Sequence, residues 1–143
     1  MHLTTSIMEY KKQAVLEVQS PFSRLILSGK KTIETRAYPL PPDLIGANII
    51  LCESLPGVDG VSQLGDEVFQ AQEGLSLIGE IFISSSEEYL SQTEWDSDVE
   101  KHQVPKGSSY DWSSTEIGRR FAWKIERVII YDQILPVPNM QRR

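Results

Sequence analysis

The chain has 143 residues, of which 40% are apolar and 24% charged, enough for one domain with a single core and close to ordinary globular usage. Its net charge of −6 excludes a generally basic, nucleic-acid-coating protein but leaves room for a local basic groove. No apolar run approaches the roughly 18–20 residues of a bilayer span, and Cys52, the sole cysteine, can form neither an internal disulfide nor a cysteine-rich zinc site.

In chain order, Met1–Gln13 is polar, is expected to fray and lacks the apolar core of a secretory leader, so the expected location is cytoplasmic or nuclear. Ala14–Val18 reads as a short strand. Ser20-Pro21 is the pattern of a serine N-cap followed by a proline in the first helical position. Phe22, Leu25 and Ile26 follow at helical spacing, and Gly29 supplies a left-handed stop. The resulting helix is too short to stand alone and must be plugged into a core. Lys31–Arg36 alternates as a strand does, whereas Tyr38–Gly46 holds Pro39, Pro41 and Pro42 and reads as a stiff loop. Ala47–Glu53 is the next strand.

Pro56–Gly74 begins glycine-rich and has weak helical character around Glu67–Gln72. Leu75–Ser84 and Phe121–Asp132 read as the third and fourth clear strands after the opening one. Between them, Glu87, Glu88, Glu94, Asp96, Asp98 and Glu100 make an acidic stretch, and Pro105–Ser114 is a Gly/Ser/aromatic loop. Residues 87–114 are therefore read as an insertion, with a solvated face preferred over a lid or partner surface. Ser84-Ser85-Ser86 before Glu87 and Glu88 looks like a helix N-cap. Strand-rich sequence with one early helix and no βαβ rhythm predicts a small closed or half-closed barrel in a single α+β domain over residues 1–143.

The segment Gly29-Lys30-Lys31-Thr32-Ile33-Glu34-Thr35-Arg36 carries the most chemistry. On an extended chain Glu34 and Arg36 share a face about 7 Å apart, close enough for a carboxylate to orient a guanidinium. Lys30 and Lys31 sit at the strand's mouth. Together these groups offer cations for phosphate and an acceptor for a base edge or hydroxyl. An exposed strand with an ordinary ion pair is the plainer alternative.

Pro21-Phe22, Leu25, Leu27, Gly29-x-Lys31-x-x-Glu34-x-Arg36 and a later Gly46 before a strand resemble the signature of the ASCH domain family. The resemblance is good over Ala14–Glu53 and looser through Gly79-Glu80-Ile81 and Trp123-Lys124-Ile125. It implies a small PUA-like β-barrel with the short helix beside a cleft lined by Lys31, Glu34 and Arg36, taking RNA or a nucleotide-like ligand. One branch of that family hydrolyses the amide of N4-acetylcytidine with a lysine, a threonine and a glutamate. Lys31 falls on the lysine. Glu34 stands in the threonine's place with Thr32 and Thr35 beside it, and Glu80 is a candidate for the glutamate. In such a hydrolase Lys31 and Glu34 would be the catalytic pair, which requires the lysine to lose its proton through burial or a neighbouring cation.

Arg119, Arg120, Lys124 and Arg127 form a second basic set, with Lys124 placed to face Lys31 across the barrel. Tyr38, Tyr110, Trp112 and Trp123 are rings on which bases could stack, core packing being the stronger expectation for Trp123. His2 and His102 lack metal-ligand spacing, so no metal or cofactor is expected. Cys52 reads as a packed core thiol. The expected partner is RNA or a nucleotide-like ligand, with no membrane; the alternatives are the hydrolase and a protein-interaction module whose acidic insertion docks a basic protein.

Overall fold

The computed structural model describes residues 14–55, 75–114 and 118–136. The segment Met1–Gln13, the weak helical patch Glu67–Gln72, His2 and the basic tail Arg142-Arg143 lie outside them. Five strands form one mixed sheet: β1 (Val15–Gln19), β2 (Ile33–Arg36), β3 (Asn48–Ser54), β4 (Leu75–Glu88) and β5 (Phe121–Pro136), in the order β1-β3-β4-β5-β2. The β1–β3 pair is parallel and the other three pairs are antiparallel. With three short α-helices and a 3-10 turn at Pro42–Leu44 among the described residues, the class is α+β, as the sequence predicts.

The sheet is open: β1 and β2 are its edges, and no ladder joins them among the described residues. Four strand spacings of about 4.8 Å would hold the edges of a flat sheet roughly 19 Å apart. Yet Arg36 at the end of β2 donates from Nη2 to the Glu17 carbonyl of β1 at 2.6 Å, so the sheet curls until its edges nearly meet. Irregular registers at Leu51/Cys52, Leu77/Gly79, Phe82/Ile83 and Ile83/Ser85 supply the extra bend.

Helix α1 (Phe22–Leu27) lies against the concave face. Ile26 enters the main core with Leu16, Val18, Ile49, Leu51, Ile81, Ile83, Phe121 and Trp123. A buried isoleucine or leucine contributes about 1.5–3 kcal/mol, which a six-residue helix needs to hold its place. Polar ties add to it: Ser23 Oγ donates to Glu53 Oε2 at 2.7 Å, and Arg24 grips both oxygens of Glu53 at 2.7 and 2.9 Å. Burial pushes Glu53 upward, but these donors win and hold its carboxyl below the usual range.

Two local expectations are corrected. Ser20 does not cap α1: its N–H extends the β1–β3 ladder by bonding the Ser54 carbonyl at 2.7 Å, and Pro21 stands at the cap with no side-chain bond. Ser84–Ser86 do not start a helix either. They continue β4, because Ser85, Ser86, Glu87 and Glu88 pair with Lys124, Trp123, Ala122 and Phe121. The N-cap is Ser91, which accepts the Glu94 N–H at 3.2 Å while Glu94 reaches back to the Leu90 N–H at 2.7 Å.

The insertion holds two short helices, α2 (Gln92–Ser97) and α3 (Val99–His102). Its acidic side chains Glu94, Asp96 and Glu100 are exposed, as expected of a solvated face. Its inner side is not solvated. Tyr89, Trp95 and Val104 make a small core against Trp112 and Ala122, and His102 stacks on Trp95 with ring centroids 4.2 Å apart. Asp111 ties this unit together by accepting from Trp95 Nε1 and from the Gly107 and Trp112 N–H groups at 2.7–2.8 Å.

Candidate nucleic-acid interface

The turn after α1 places the charged segment. Gly29 takes φ +83°, a left-handed conformation that costs glycine little, and the Lys31 N–H returns to the Leu25 carbonyl at 3.0 Å. β2 then starts against the insertion, with the Thr32 N–H bonded to the Lys101 carbonyl at 2.9 Å. Alternation sets Glu34 and Arg36 on one face, and Glu34 pairs in register with Trp123.

Glu34 sits buried between two cations. Arg36 approaches its Oε2 from Nε at 2.8 Å and Nη2 at 2.7 Å, and Lys31 Nζ lies 3.6 Å from Oε1. The trio carries one net positive charge. Lys31 is enclosed, its side chain only 1% exposed, whereas that of Arg36 is 24% exposed. Of the two cations, Arg36 is the more open to solvent. Lys31 Nζ donates to the backbone carbonyl of His102 and lies 5.2 Å from the centre of the Phe22 ring. The last carbonyls of a helix lack partners within it, so the end of α3 is a natural acceptor for this ammonium and for Thr32 N–H.

Burial pulls Lys31 below the ordinary lysine range; Glu34 opposes that shift and Arg36 adds to it. Burial also lowers Arg36, but Glu34 and the Tyr38 phenol outweigh it and hold the guanidinium above its usual value. Burial lowers His102, and the Lys31 charge adds to that. Its ring is pinned in one tautomer: Nδ1 accepts the Val104 N–H at 3.0 Å, leaving Nε2–H to face the Trp95 carbonyl at 3.0 Å.

Tyr38 stands at the mouth, 49% exposed, edge-to-face with Trp123 at 5.6 Å. Trp123 itself is in the core and donates to the Tyr38 carbonyl at 3.1 Å. Lys30 is exposed on the turn beside the trio. Lys124 is exposed on β5, one residue from Trp123 and so on the other side of that strand; no ion pair joins it to the trio among the described residues. Glu80 lies apart, holding Asn48 and Tyr131 on the sheet face that Ile50 and Cys52 cover.

The second basic set does not gather. Arg119 pairs with Glu88, Arg120 is buried and donates to the Asp111 carbonyl at 2.6 Å, and Arg127 covers the Phe82 ring. Cys52 is fully buried and its thiol is pushed up to about 12, chiefly by burial. Sequence reasoning missed His102 as a neighbour of Lys31. No local pattern signalled it: Trp95 and His102 lie on two separate short helices, and what Lys31 meets is the His102 backbone carbonyl.

No family model matches the chain, and no curated protein matches it. Among solved structures it is similar to the ASCH protein from Zymomonas mobilis, with 19% identity, a TM-score of 0.61, and coverage of 90% of this chain and 76% of that one. A tyrosine-to-phenylalanine variant of that protein gives 18%, 0.61, 90% and 78%. A serine-to-alanine variant gives 19%, 0.58, 90% and 75%. The likeness is one of fold, and the fold of this chain is that of an ASCH domain.

Proposed function

We propose that the chain is an RNA- or nucleotide-binding module whose ligand meets the cleft between α1, β2 and the insertion. The carrying observation is the buried Glu34 carboxylate between two cations, with only the Arg36 side chain appreciably open to solvent. In this reading Arg36 contacts phosphate or a base acceptor, and Glu34 and the Glu17 carbonyl fix its orientation in advance. Lys31 balances the Glu34 charge from beneath. Tyr38 offers a ring at the mouth, and Lys30 is an exposed cation for a longer strand, whereas Lys124, on the other side of β5, lies outside this cleft. The PUA-like barrel expectation belongs to the same reading: the curled sheet, stapled by Arg36, supplies the cleft wall.

The test is fluorescence anisotropy with a labelled single-stranded hexaribonucleotide. Wild type should bind in the micromolar range, Arg36→Ala at least tenfold more weakly, and log affinity should fall with log salt at a slope of about −1, as one or two phosphate contacts give. Equal affinity for both proteins would overturn the assignment.

A second reading is a small hydrolase acting on a nucleoside amide or RNA, with Lys31 and Glu34 catalytic. It is favoured by one observation, the burial that lowers the Lys31 pKa toward a usable base. Incubation with N4-acetylcytidine and mass analysis for deacetylated product decides it. A basic protein docked on the acidic insertion is the third reading, and neutralising Glu94, Asp96 and Asp98 tests it.

A further inference from the structure

Tyr110 is the one ring of the insertion's Gly/Ser loop that stays at the surface. It is 47% exposed, whereas Trp112 leans on Trp95 at 6.1 Å and Trp95 is buried. Its backbone is held firmly. The neighbouring Asp111 side chain fastens Gly107, Trp112 and Trp95, and Arg120 clamps the Asp111 carbonyl. The ring is aimed as well: it meets Phe22 edge-to-face at 6.1 Å, and its hydroxyl lies 3.4 Å from Gln19 Oε1 at the end of β1. Phe22 in turn rests against Lys31, which places Tyr110 on the Lys31 side of the trio. Tyr38 stands on the other side, against Trp123 and beside Arg36. A half-exposed tyrosine thus flanks the net positive trio at each end.

We infer that Tyr110 is a base-stacking platform contributed by the insertion, so that with Tyr38 it makes the site select a single-stranded nucleic acid. The inference rests on the reading of Arg36 as the phosphate contact. A phosphodiester at the central cation leaves bases on either side, and an unstacked base gains about 1–3 kcal/mol on an aromatic face, equivalent to roughly 5- to 150-fold in affinity. A duplex keeps its base faces buried in its own stack and cannot use the rings. Because the ring is already oriented by Phe22 and Gln19, little freedom is lost when a base lands on it.

The experiment compares wild type, Tyr110→Leu, Tyr110→Phe, Tyr110→Trp and Arg36→Ala by anisotropy. The probes are a labelled single-stranded hexaribonucleotide, its deoxy counterpart and a self-complementary RNA duplex. Tyr110→Leu should weaken binding of both single strands at least fivefold. Tyr110→Phe should stay within twofold of wild type, and Tyr110→Trp should bind at least as tightly. The duplex should bind wild type at least tenfold more weakly than the single strand. If Tyr110→Leu matches wild type while Arg36→Ala loses binding, the site stands and the Tyr110 platform is overturned. If Arg36→Ala matches wild type while Tyr110→Leu weakens, the phosphate reading fails on its own. Preferred binding of duplex, or no binding by wild type, overturns the inference outright, and should Tyr110→Leu fail to fold, weakened binding by Tyr110→Trp does the same.

Discussion

Lys31 Nζ donates to the backbone carbonyl of His102, a residue 71 positions further along the chain. That bond joins the first helix turn and β2 to the insertion, so the insertion is a wall of the candidate site and not an appendage. It also means that the charged trio and the small Trp95–His102 core should respond together when either is disturbed.

Removing the Glu34 charge should leave Lys31 buried without its counter-ion. Glu34→Gln is expected to destabilise the fold by about 3 kcal/mol, the scale for breaking a buried ion pair. Lys31→Met combined with Glu34→Gln should recover most of that loss, because both buried groups are then uncharged. Urea denaturation of wild type and the two variants measures this. A Glu34→Gln protein as stable as wild type would show that the pair is effectively solvated.

His102 should impose a pH dependence on stability. Its folded pKa lies below the ordinary 6.5, so as pH falls through 6.5 the unfolded chain takes up a proton that the folded chain refuses. Stability contributed by the neutral ring is complete above that value and declines below it, by up to about 1.4 kcal/mol per pH unit. The depressed carboxyls Glu53 and Asp111 act lower, being lost only as pH falls through the acid range below their ordinary values. Denaturation midpoints at pH 7.5 and 5.5 should therefore differ more for wild type than for His102→Gln. An equal difference in both proteins would contradict the role given to the ring.

Gly79 should tolerate no side chain. A Cβ there would sit 2.4 Å from the Ile129 backbone oxygen and 3.2 Å from Leu27 Cδ2, and the first of these belongs to the paired strand β5, which cannot swing aside. Gly79→Ala is expected to cost about 2–3 kcal/mol, as overpacking of a fixed core does. Thermal and urea unfolding measure it. No change in stability would mean that the β4–β5 contact is looser than described.

Much of this site was legible locally. Period-two alternation put Glu34 beside Arg36, and Gly29 marked the turn that delivers Lys31 to the mouth of β2. What could not be read was long-range. A backbone carbonyl such as that of His102 or Glu17 is the same group at every position, so no side-chain pattern announces it as a partner. The length of β4 was hidden for a related reason: Ser84–Glu88 has poor strand propensity and is extended only because the start of β5 pairs with it. Of the acidic run, Glu87, Glu94, Asp96 and Glu100 are exposed, while Glu88 and Asp98 are half-buried and hold Arg119 and Tyr89; the charge masked the Trp95 and His102 side that packs inward.

The most direct test of the central claim is a nitrogen–proton spectrum of the labelled protein titrated with a single-stranded hexaribonucleotide. The account predicts saturable shifts at the backbone amides of Glu34, Arg36 and Tyr38 and at the Arg36 Nε–H, with Glu80, Tyr131 and Cys52 on the other sheet face unmoved. Saturating shifts confined to that other face or to the acidic residues of α2 and α3, or no shifts at all, would contradict it.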